Sequence, residues 1–63
     1  MNITGYKYGV DSVKAIQSLN KHSDMSLPKA RQTIEKAIDG NIISLRDDFV
    51  LREDLEDAGF IIE

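Results

Sequence analysis

Residues 26–40 read SLPKARQTIEKAIDG, and they decide the fold because a start signal, an apolar stripe and a stop signal coincide there. Ser26 is a good helix N-cap, and Pro28 falls in the first turn, where its missing N–H costs nothing. Ala30, Ile34, Ala37 and Ile38 recur at i, i+4, i+7 and i+8, the spacing of a buried helical face. Lys29, Arg31, Gln32 and Lys36 are left for solvent, with Glu35 and Asp39 placed to pair with Arg31 and Lys36. Gly40 supplies the left-handed residue that ends the helix.

Upstream, residues 2–8 (NITGYKY) read as a strand. Period-two alternation puts Thr4, Tyr6 and Tyr8 on one face, with the tyrosines expected in the core, and Ile3, Gly5 and Lys7 on the other. Gly5 marks a bulge or a close backbone approach. Gly9 breaks the segment, and Asp11 caps a helix running to Lys21 or His22. Its inward stripe is Val13, Ile16 and Leu19 with Ala15 at the margin, while Lys14, Gln17, Ser18 and Lys21 face outward. Asp24 and its neighbours form a short polar break.

Downstream, Asn41–Leu45 (NIISL) reads as a second strand and residues 46–48 as a polar turn. From Phe49 the residues FVL fit either a hairpin extension or the entry to a helix. Leu51, Leu55 and Ala58 fit a short helix closed by Gly59, and Phe60–Ile62 is the final strand. The expected fold is α+β, one domain over residues 1–63, in the order β-α-α-β-α-β, with three helices on one face of a three-stranded sheet.

Composition limits the function classes. A chain of 63 residues buries only about 60% of its unfolded surface, so its stability is a few kcal/mol at most. Without cysteine there is neither a disulfide framework nor a thiolate metal site, and a reducing cytoplasm is the expected compartment. No apolar run exceeds three residues, too short for a membrane span or a signal-peptide core. The net charge of −3 is unevenly spread: residues 1–40 hold six Lys/Arg against four Asp/Glu, net +2, and residues 41–63 hold two against seven, net −5.

The residues carry no recognisable reaction chemistry, and no enzyme or cofactor is expected. His22, Ser23 and Asp24 have the residue types of a catalytic triad, but sequence neighbours diverge where a triad must converge. The pairs Asp47-Asp48, Glu53-Asp54 and Glu56-Asp57 read as a solvated acidic surface, since a glycosidase-type pair needs a buried cleft. One histidine cannot build a zinc site, the EF-hand ligand spacing is missing, and so is a glycine-rich phosphate loop. Helix-turn-helix DNA binding is the alternative function: the second helix would present Lys29, Arg31 and Gln32 to phosphates and base edges. The acidic total and the lack of a wider basic surface weigh against it.

The same elements resemble the C-terminal domain of the bacterial ribosomal large-subunit stalk protein, the L-seven/L-twelve protein. Leu27, Ala30, Arg31, Ile34 and Glu35 match the family's second helix of that domain. Leu55-Glu56-Asp57-Ala58-Gly59 matches its last-helix ending almost letter for letter, and Phe60-Ile61-Ile62-Glu63 stands for its final strand. The resemblance covers essentially the whole chain and implies a protein-binding module. In the family, a lysine-rich surface on the first helix and the start of the second meets translational GTPases. Here Ser12, Gln17 and Asn20 occupy three of those basic positions and only Arg31 keeps its charge. Lys14 and Lys21 restore charge nearby, while Lys29 stands where the family has an acid and Pro28 where it has a lysine. The last helix is expected to be shorter than the family's. The dimerising N-terminal domain and hinge are not in the sequence, which suits a standalone, phage-encoded or accessory relative.

The resulting expectation is docking to a translation or transcription factor through Lys14, Lys21, Lys29 and Arg31. A homodimer formed through a strand edge or the tyrosines is a further expectation.

Overall fold

A computed structural model describes all residues, Met1–Glu63. The elements are β1 (Asn2–Tyr6), α1 (Ser12–His22), α2 (Leu27–Ile38), β2 (Ile43–Ser44), α3 (Phe49–Ala58) and β3 (Phe60–Ile62). The expected β-α-α-β-α-β order is therefore present. The strands form one antiparallel sheet in the order β2-β1-β3. Strands β2 and β3 flank β1, so α3 links two strands that run parallel without touching. Helix α2 packs on β1 and β2, α3 packs on β3, and α1 lies between α2 and α3.

Each helix begins where a side-chain oxygen can accept a first-turn N–H. Asp11 accepts from Lys14, Ser26 from Lys29 and Asp48 from Leu51. The cap at Asp48 settles the segment from Phe49 as helix. Helix α2 ends in paired bonds, Gly40 N–H to Ala37 C=O and Asn41 N–H to Lys36 C=O, with Gly40 at φ +98°. That is the Schellman arrangement, which glycine accommodates most easily.

The core joins Ile3, Phe60 and Ile62 of the sheet to Ala15, Leu19, Ala30, Ile34, Ala37, Leu51, Leu55 and Ala58 of the helices. Its largest fully buried side chains are Ile3, Leu19, Ile34, Leu51 and Leu55. Burying each contributes about 1.5–3 kcal/mol.

Four expectations need correction. Strand β1 stops at Tyr6, and its inward residue is Ile3, 1% exposed, whereas Tyr6 is 41% exposed and Tyr8 lies fully in solvent. The register slips between Ile3, opposite Ile62, and Gly5, opposite Ile61. This bulge at Thr4 breaks the period-two alternation and sets Ile3 and Tyr6 on one side of the sheet, but Tyr6 is the last residue of β1 and Tyr8 lies beyond it, so neither ring is enclosed. Tyr6 then stands opposite Phe60 and meets its ring edge-on at 6.4 Å.

In α1 the buried stripe is Ala15, Ser18 and Leu19; Val13 is exposed and Ile16 only half-buried. The outward placement of Ser18 is thus reversed. Strand β2 has two residues instead of five. Finally, neither Glu35 nor Asp39 pairs with Arg31 or Lys36, since the four ion pairs of the molecule lie elsewhere.

Candidate functional site

A groove runs along the seam of α1 and α2. One hollow of about 410 Å³ is lined by Ile16, Leu27, Pro28, Arg31, Gln32 and Glu35. A second, of about 280 Å³, shares Ile16 and Glu35 and continues to Ser12, Ile38 and Asp39. The first turn of α1 therefore lies beside the last turn of α2, and the two helices run alongside each other.

The groove follows from the helix stripes. Ala30, Ile34 and Ala37 turn α2 down onto the sheet, and Ala15 and Leu19 turn α1 into the core. Ile16 and Ile38, on the margins of those stripes, remain half-covered at the floor of the seam. Leu27 is 55% exposed at the mouth. Arg31 and Glu35 stand one turn apart on the α2 wall, both exposed and neither in an ion pair.

Of the four expected docking cations, only Arg31 lines this groove. Lys29 precedes it by two positions, about 200° around the helix, and so points to the far side of α2. Lys14 turns towards α3, where its ammonium lies 3.9 Å from Asp57. Lys21, two turns further along α1, shares that side. The positive first part of the sequence thus faces the acidic last part across the exposed rim of the α1–α3 seam.

That seam holds a second polar cluster. Asp54 Oδ2 accepts a hydrogen bond from Ser18 Oγ at 2.9 Å and lies 3.8 Å from His22 Nε2. Here the carboxylate contacts the hydroxyl, whereas nucleophile activation needs the imidazole there. The cluster is a clamp between helices. It also explains why Ser18 can be buried: its hydroxyl has a partner.

Ile16, Leu27 and Glu35 were not among the expected site residues, and Gln32 was expected only in the DNA-binding alternative. Ile16 read as core because its spacing fits the stripe. Leu27 carried the one usable signal, a large apolar residue in the first turn of a helix whose inward face is complete without it.

Comparison with known proteins adds no relative: no family model, no curated protein and no solved structure matches the chain.

Proposed function

We propose that this chain is a small, non-enzymatic, cytoplasmic protein-binding module of the stalk C-terminal-domain type. It docks a protein of the translation or transcription machinery through its first two helices. The observation that carries the reading is the α1–α2 groove, where half-covered Ile16 and exposed Leu27 lie beside unpaired Arg31 and Glu35. Apolar anchors beside a charge that fixes orientation are the ingredients of a protein interface. Arg31 is the charge of the groove itself, and Lys14, Lys21 and Lys29, on faces turned away from the groove, act only as longer-range steering charges. Truncating any one of those three alters association rate and salt dependence more than it weakens the complex.

The groove favours a protein over duplex DNA. Glu35 and Asp39 border it together with Arg31, and carboxylates on that wall repel phosphates. Helix α2 is also flanked along its length by α1, whereas a recognition helix stands free at about 90–120° to its neighbour.

The test is site-specific capture. A photo-reactive residue at Gln32, in the groove, should cross-link one discrete bacterial protein in lysate. The same residue at Glu53, on α3, should not. Equal adducts from both positions, or none from Gln32, would overturn the assignment.

A further inference from the structure

The charges along the groove wall of α2 are arranged so that a second copy of the same wall complements them. Arg31 lies towards the N-terminal end and Glu35 one turn towards the C-terminal end, both exposed and free of intramolecular ion pairs. Set two such helices antiparallel about a two-fold axis midway between those residues. Arg31 of each copy then faces Glu35 of the other, and the contact is made twice. The same operation brings Pro28 of each copy to the level of Ile38 of the other, an apolar pair at each end of the groove. Leu27, 55% exposed, lies at the margin of the contact. A parallel arrangement would instead set like charges against each other.

From this self-complementarity we propose that the α1–α2 groove is the interface of a reversible, two-fold homodimer, with Arg31–Glu35 pairs across the axis. The surface differs from the strand edge and the tyrosines, the places where sequence alone suggested self-association. It goes beyond the docking reading, since it needs no foreign partner, and it adds a consequence to it. A chain paired in this way has its groove covered, so self-association and partner docking exclude each other.

The size of the face sets the strength. The molecule measures 26 × 22 × 18 Å and exposes 4129 Å². A stable interface takes about 800 Å² from each partner, a fifth of that surface. One helix-pair face supplies less, so the dimer is weak, concentration-dependent and weakened by salt.

Sedimentation equilibrium of the purified chain at low salt, from about 10 μM to about 1 mM, reads this out over the range of weak contacts. The natural sequence should show a monomer–dimer equilibrium. Arg31→Glu and Glu35→Arg should each raise the dissociation constant by about tenfold, through two lost pairs and two new repulsions. The double variant Arg31→Glu/Glu35→Arg should restore dimerisation, because the exchanged charges again face each other. Lys36→Glu, the same charge change about 140° around α2 from Arg31 and outside the groove lining, is the control and should leave the equilibrium unmoved. Circular dichroism establishes that each variant is folded. A chain that stays monomeric at the highest concentration overturns the proposal, as does a double variant no better than the singles. Neither result touches the docking reading, which is tested by capture of a foreign protein at micromolar chain.

Discussion

Ser18 and Asp24 show how single positions carry stability in so small a chain. Ser18 is 5% exposed and its hydroxyl is held by Asp54, so Ser18→Ala should cost about 1 kcal/mol in urea unfolding. Asp24 is the only non-glycine residue with positive φ, at 55°, just beyond the end of α1. It follows the C-terminal end of α1, where the helix dipole disfavours a carboxylate. Asp24→Gly removes both penalties, and the expected gain is about 0.5–1 kcal/mol. Asp47 gives a pH signature: its carboxylate accepts from the Met1 ammonium at 2.6 Å, and that hydrogen bond and charge hold its pKa below the ordinary 3.8. A lowered folded-state pKa means the contribution is complete above the ordinary value and is lost as pH falls through the folded one. Asp47→Asn should therefore flatten the acid side of the stability profile, as urea midpoints measured across that side will show.

Among the elements, helix limits were legible at four cap residues, but the start of α3 was not, although Asp48 caps it. Asp11, Ser26, Gly40 and Gly59 all act at the positions read from sequence. Two failures have physical causes that periodicity does not encode. The bulge at Thr4 shifts the phase of β1, so Ile3 and Tyr6 share the helix-facing side of the sheet although three positions apart. Helix α1 is wedged between α2 and α3, so its buried arc is set by two neighbours, and Asp54 draws Ser18 into it while Val13 stays outside. The groove was legible only in part: Arg31 was found, but Ile16 becomes the floor of a groove only through the way α1 and α2 lie side by side, and the signal at Leu27 was a single residue. The two helix-ending glycines should differ in tolerance. A Cβ at Gly40, φ +98°, meets nothing within 4 Å, whereas at Gly59, φ +108°, it would sit 3.2 Å from the Val10 backbone. Gly40→Ala should cost about 1–2 kcal/mol from backbone strain alone. Gly59→Ala should cost more, as a lower urea midpoint will show, because Val10 must also move.

At the scale of the whole molecule, the fold has little to spare. A domain of this size carries roughly 3–5 kcal/mol, and Leu55→Ala, at a fully buried position, removes about 2–5 of it. That variant should be substantially unfolded at 37 °C by circular dichroism, whereas the surface reversals at Arg31 and Lys36 should not be. The charge asymmetry of the sequence also changes meaning at this scale. Lys14 is turned to Asp57 across the α1–α3 seam, which leaves Arg31 as the cation of the α1–α2 groove. Fold alone does not assign function, so the account rests on that groove. Its most direct test is cross-linking from Gln32 in lysate at micromolar chain, with Arg31→Glu or Lys36→Glu added. Arg31→Glu should abolish the adduct while Lys36→Glu leaves it intact. An adduct equally sensitive to both, or indifferent to Arg31, would contradict it.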